Sequence, residues 1–193
     1  SKLSALATAA RALDSTAEFN ATAATSSDTA SVTASTVGGA VVGGYDIQVT
    51  RLAREQRTQS NTFASNTTAL GLSGAINLTV GAGSPVTVNV TNTDTLSDIA
   101  SKISSTGARV NASVIYDGST WRMQVRGLDT GAANAIAITE DPSIRTGLGL
   151  SVAGNTYQTA QDAQFTVDNV TMTRATNQVS DAAPGLSFNL LRT

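Results

Sequence analysis

The residues of this chain whose types and spacing could do chemistry are few. Asp94 and Asp98 lie one helical turn apart, and Arg51, Arg54, Glu55 and Arg57 form a charged strip. Two carboxylates at that spacing could share a cation. A hard cation wants several converging oxygen ligands, however, and no EF-hand-like loop surrounds the pair. Capping accounts for them better, since carboxylates favour the positive end of a helix dipole. The strip has two readings. It is a solvated face, whose exposed pairs contribute about 0–1 kcal/mol, or it is a set of intersubunit polar contacts of the kind interfaces carry.

Catalytic equipment is scarce. The chain has no histidine and no cysteine, which removes the neutral-pH proton switch and the commonest strong nucleophile. A serine nucleophile would then need a lysine base. Lys2 and Lys102 are the only lysines, and neither sits in a recognisable motif. The segments Val37-Gly38-Gly39 and Gly81-Ala82-Gly83 are followed by no Gly-Lys-Ser/Thr, so neither reads as a phosphate loop. We expect no catalytic, metal or cofactor-binding residues and no cofactor. The chain reads as a building or binding part rather than an enzyme.

Composition narrows the partners. Of 193 residues, 40% are apolar and 4% aromatic, so a core must be built from Val, Ile, Leu and Ala. The net charge is −2, with no basic run. Nucleic acid is set aside, because binding it needs clustered Lys and Arg. No apolar stretch reaches the roughly 20 residues that span a bilayer, and membrane insertion is not expected. The start, Ser1-Lys2-Leu3, has neither an initiator Met nor an apolar leader, which suggests a piece of a longer protein. Absence of cysteine suits a chain exported unfolded and assembled outside the cell.

The elements follow from periodicity. Leu3, Leu6, Ala10, Leu13 and Ala17 have helical spacing over residues 1–19. Their stripe is thin and needs a partner, either a neighbour or the chain's own domain. Residues 21–36 read as extended. Tyr45, Ile47 and Val49 alternate with polar residues, predicting a half-buried strand. Residues 52–59 read as a solvated segment and 60–69 as a loop. Ile76, Leu78 and Val80 pair with Val86, Val88 and Val90 as a hairpin. Thr95 and Asp98 form a capping box for a short helix with Leu96, Ile99, Ala100 and Ile103 inward. Val110–Val114 and Trp121–Val125 read as another hairpin, with Trp121 in the core. Ile136 and Ile138 mark a short strand. Residues 140–156 read as irregular. Phe165 and Val167 turn at Asp168-Asn169 into Val170 and Met172, and Leu186, Phe188 and Leu190 form a terminal strand. Two blocks emerge, one of residues 20–69 and 155–193, the other of residues 70–154 inserted between them.

These residues carry a resemblance. Tyr45-Asp46-Ile47-Gln48-Val49-Thr50-Arg51-Leu52-Ala53-Arg54-Glu55-Gln56 resembles the strand and "LAxxQ" segment of the flagellar filament-capping family, also called hook-associated protein 2. The middle block, with Thr95–Ile103, Val110–Val114, Trp121–Val125 and Thr130–Ile136, resembles the repeat of flagellins and their relatives. The tail fits too, through Ala160–Asn169, Arg174–Val179 and Gly185–Phe188. The resemblance runs in order over residues 45–190. The chain departs from the family pattern at Ser104-Ser105, where an Asn is usual, and at Asp168-Asn169, where residue-Gly is usual.

The resemblance implies a mainly β (α+β) fold of two antiparallel β-rich head domains, one inserted in the other. Residues 1–19 would be the top of a helical, coiled-coil leg, packing through Leu3, Leu6, Ala10 and Leu13. It implies a homo-oligomeric ring at the extracellular tip of the bacterial flagellar filament, reached through the flagellar export system. Its partners would be other copies of itself, flagellin and the hook-filament junction proteins. The ring would retain exported flagellin and promote its folding into the filament. The alternative is a surface adhesin or flagellin-type variable domain that binds host glycans, with Tyr45, Tyr116, Trp121 and Tyr157 as its aromatic candidates.

Overall fold

The computed structural model describes Lys2, Ala5 and residues 22–37 and 39–193; the packing positions expected of the leg, Leu3, Leu6, Ala10 and Leu13, lie outside the described residues. Along the chain run β1 (Val32–Thr36), β2 (Ile47–Arg51), β3 (Arg57–Gln59), β4 (Gly74–Val80), β5 (Val86–Val90), α1 (Leu96–Ser104), β6 (Val110–Tyr116), β7 (Trp121–Gly127), β8 (Ile136–Glu140), α2 (Pro142–Gly147), β9 (Thr156–Gln158), β10 (Ala163–Val167), β11 (Val170–Arg174), β12 (Gln178–Ala183) and β13 (Leu186–Leu190). The strands form four sheets, ordered β1-β13-β12, β11-β10-β2, β6-β7-β3-β9 and β5-β4-β8. Every pairing is antiparallel. The mainly β class expected from the alternating patterns is therefore the one observed.

Two hydrophobic cores organise these sheets. The first gathers Val32, Ala53, Ala163, Phe165, Val167, Val179, Phe188 and Leu190. Phe165 and Phe188 meet edge to face, with ring centroids 5.7 Å apart, an arrangement the aromatic quadrupole favours. The β10–β11 hairpin closes through Asp168 and Asn169, both at positive φ (48° and 64°). That is the twist a two-residue hairpin turn requires, and Asp and Asn tolerate it. The second core packs α1 against β4, β5, β6, β7 and β8, with Ile76, Leu78, Leu96, Ile99, Ile103 and Met123 fully buried. The expected capping box starts α1. The Asp98 N–H donates to Thr95 Oγ1 at 3.1 Å, and the Thr95 N–H donates to Asp98 Oδ2 at 3.0 Å.

Three expectations change. Residues 52–59 are not a solvated segment: Ala53, Gln56 and Thr58 are buried, and β3 is an interior strand between β7 and β9. Residues 140–156 are not irregular throughout. Pro142 sits at the first turn of α2, where its missing N–H costs nothing and its fixed φ suits a helix. The polar strand β12 went unexpected; its pairing with β13 shifts register between Val179 and Ala183, which breaks the alternation.

The edge-to-face pair anchors the first core, so Phe165→Ala is expected to cost about 3–5 kcal/mol of unfolding free energy. Urea unfolding followed by circular dichroism measures it. A loss below about 1 kcal/mol would contradict the packing described.

Candidate functional site

The segment that carries the family resemblance, Leu52 to Gln56, is where the chain passes from one core to the other. Ala53 packs into the first core, while β3, immediately after Gln56, pairs with β7 of the second core's sheet. Backbone running between two cores has few ladder partners, yet its buried polar groups must be satisfied. Side-chain amides do this. The Gln56 amide lies against Ile136: its Nε2 donates to the Ile136 carbonyl at 2.8 Å, and its Oε1 accepts from the Ile136 N–H at 2.9 Å. The Asn177 amide treats Ala53 in the same way, accepting its N–H at 2.7 Å and donating to its carbonyl at 3.1 Å. Gln161 Nε2 donates to the Leu52 carbonyl at 2.8 Å, and Arg54 and Gln161 exchange backbone hydrogen bonds at 2.9 and 3.0 Å. Three amide side chains thus imitate strand neighbours around five residues.

The loop after β7 closes the joint from the other side. The Gly131 N–H donates to the Arg54 carbonyl at 3.2 Å, and the Ala132 N–H donates to Asp162 Oδ1 at 2.8 Å. Gly131 has φ +101°, and a Cβ there would lie 2.7 Å from the Ala175 Cβ. Only glycine allows this approach.

The joint divides the charged strip. Arg51 is exposed at the end of β2, and its Nε donates to the Asp162 carbonyl at 3.0 Å. The Arg54 side chain is exposed and makes no ion pair among the described residues. Glu55 and Arg57 pair with each other, with Arg57 Nη2 2.6 Å and Nε 2.8 Å from Glu55 Oε1. Arg57 stands opposite Arg126 on β7, a like-charge pairing that costs energy without a counter-ion. Burial pushes the Glu55 carboxyl up, but its own backbone N–H and the Arg57 guanidinium outweigh burial, Arg126 adds its charge, and the pKa lies below the ordinary value. Glu55 is the ion-pair partner of Arg57, and Arg126, which makes no ion pair among the described residues, feels its charge at longer range.

The other candidates are internally engaged. Asp94 accepts from Lys102 Nζ at 2.5 Å and from the Thr91 N–H at 2.7 Å. It closes a turn and pairs with a lysine rather than capping α1, which is the work of Asp98. Trp121 packs against the second core, and Tyr116 lies over it with ring centroids 4.8 Å apart.

Two outcomes follow. Gln56→Leu leaves the Ile136 N–H and carbonyl without partners and should cost about 2–4 kcal/mol, with faster hydrogen exchange at the Ile136 amide; unchanged stability and exchange would contradict the joint. Because the folded pKa of Glu55 is depressed, its contribution is complete above the unfolded pKa and is lost as pH falls through the folded one. Unfolding titrations from about pH 6 to about pH 3 should show Glu55→Gln removing about 0.2–1 kcal/mol at the upper end and less at the lower. An equal loss at both ends would contradict the pairing.

Comparison with known proteins agrees with this geometry. Residues 1–56 match the family described as "Flagellar hook-associated protein 2 N-terminus", and residues 160–193 match "Flagellar hook-associated protein 2 C-terminus". The flagellar hook-associated protein 2 of Escherichia coli (strain K12) is 35% identical over 194 residues, covering 94% of this chain and 41% of that protein. The chain thus spans well under half the length of that curated relative. The crystal structure of the flagellar cap protein FliD D2-D3 domains from Escherichia coli superposes with a TM-score of 0.75 at 32% identity, covering 85% of this chain and 89% of that one. The D1-D2-D3 structure from the same organism gives a TM-score of 0.79 at 33% identity, covering 95% of this chain and 55% of that one. With these matches over nearly its whole length, the chain belongs to the flagellar hook-associated protein 2 family, a family of structural flagellar cap proteins and not of enzymes.

Proposed function

We propose that this chain is the head of a cap subunit at the extracellular tip of the flagellar filament. Copies form a ring that retains exported flagellin and promotes its folding and insertion, in contact with the hook-filament junction proteins as the filament starts. The observation that carries this reading is the joint at Gln56. A subunit that must hold a ring while flagellin is inserted beneath it needs two lobes that transmit force as one body. The buried Gln56 amide, bonded to both backbone groups of Ile136, would couple the two lobes at the crossing.

In this reading the head has two domains, one inserted in the other. The pairing of β3 with β7 and β9 supports drawing the crossings close to residues 53–56 on the way out and 158–161 on the way back, which makes the inserted block longer at both ends than the expected 70–154. Leu3, Leu6, Ala10 and Leu13 would pack the leg beneath the head, and Arg51 and Arg54, with exposed side chains, keep their proposed role at subunit contacts. Small polar residues such as Thr, Ser and Asn dominate the surface, which suits contacts that must rearrange, since permanent interfaces are more hydrophobic.

Deleting the gene tests the proposal. Soluble flagellin in the medium, bare hooks and loss of swimming are expected, with filaments restored by the parental gene. Normal filaments in the deletion strain would overturn it.

A further inference from the structure

The first core is left open between its two sheets. The sheets end in the edge strands β1 and β2, which pair only with β13 and β10. A cleft of about 860 Å³ lies between these edges. Ala34 of β1, Ile47 and Val49 of β2 and Leu186 of β13 line it, and each packs on the core while staying half-buried. Residues 22–27 form a further wall. They alternate between half-buried and exposed, which is the pattern of a strand. They have no ladder; the Thr36 hydroxyl donates to the Thr22 carbonyl at 2.6 Å. Among the described residues, neither residues 22–27 nor the outer edge of β2 has a backbone hydrogen-bond partner on the main chain.

Val41 and Val42 also line the cleft, yet they are 71% and 91% exposed. The root of their loop is fixed. The Val37 N–H donates to the Gly185 carbonyl at 2.9 Å, and a Cβ at Gly185 would lie 2.3 Å from the Ala40 nitrogen. Beyond Ala40 the packing stops. A Cβ at Gly43 or Gly44 would meet nothing within 4 Å, and neither has a positive φ. Glycine costs conformational entropy on folding, and this arrangement of the loop has no steric need for it. The cleft is also nearly free of charge. Of the charged side chains that line it, Asp28 and Arg192 pair with each other at 3.6 Å, which leaves Asp46. A charged occupant would lose water and find little to pair with.

We propose that this cleft binds an extended, uncharged stretch of polypeptide, which adds as a strand between β2 and residues 22–27 while Val41 and Val42 close over it. The glycines at 43 and 44 are the hinge of that closure. Strand addition takes its affinity from main-chain hydrogen bonds, and the apolar lining receives every second side chain. A folded domain keeps such stretches paired within its own sheets, so the occupant is a chain that has not yet folded. The proposal rests on the reading that the protein retains exported flagellin, and it names where a flagellin chain is held before it folds.

The test uses the whole protein and fluorescent peptides of about 12 residues that tile flagellin, too short to fold alone. Uncharged peptides with alternating apolar residues should bind by fluorescence anisotropy. Hydrogen exchange should then slow at residues 22–27 and 47–50. V41D/V42D should weaken binding about tenfold or more, the scale of two valines left uncovered, with an unchanged circular dichroism spectrum because both side chains are exposed. In the deletion strain, the V41D/V42D gene should release flagellin into the medium where the parental gene does not. Absence of peptide binding overturns the proposal. So does binding that V41D/V42D leaves unchanged or that slows exchange elsewhere. In each of these cases the cap reading stands, since the deletion strain tests it separately. Loss of self-association in V41D/V42D, with no peptide bound to the parental protein, gives the cleft to a second copy and also overturns the proposal.

Discussion

The Gln56 amide against Ile136 is the interaction on which the rest of the structure depends. It pairs a side chain from the segment leaving the first core with both backbone groups of a strand in the second. The joint must satisfy buried peptide groups where no ladder is available, and an amide is the side chain that carries a donor and an acceptor at peptide spacing. Asn177 at Ala53 and Gln161 at Leu52 repeat the solution within a few residues. A charged side chain in the same place would add a desolvation penalty, and an apolar one would leave the peptide groups orphaned.

Around this joint the fold divides its work. Each core is made of aliphatic residues with one central feature, the Phe165–Phe188 pair in the first and the buried face of α1 in the second. The surface between strands carries the charge. Glu55 stands beside Arg57 and Arg126, so one carboxylate relieves a repulsion that the register of β3 and β7 would otherwise impose. Arg122 and Arg126 on one side of the joint, and Asp46 and Asp168 on the other, make no ion pair among the described residues.

Much of this was legible in the sequence. Strict alternation marked β2, β4, β5, β6, β7, β10, β11 and β13, because each has one face on a core. The capping box at Thr95 and Asp98 marked α1, since its two hydrogen bonds are local. The joint was not legible as a joint. Gln56 and Thr58 read as solvated because polar residues among arginines ordinarily are, and their burial depends on Ile136 and β7, many residues away. β12 failed to show because its register shift interrupts the period. α2 hid behind Asp141-Pro142, which reads as a break although proline suits a helix's first turn. The charged strip was visible as charge, but its division into an internal pair and exposed arginines required the fold. The leg positions stand outside what the structure describes.

The central claim is that the joint makes the two cores one body. The chain has no cysteine, so two introduced thiols label cleanly. Spin labels at Ser113→Cys on β6 and Thr171→Cys on β11, both exposed positions, report the distance between the cores by pulsed electron resonance. The account predicts one narrow distance distribution in the parental background and a broad one when Gln56 is replaced by leucine. A broad distribution with Gln56 in place would contradict it.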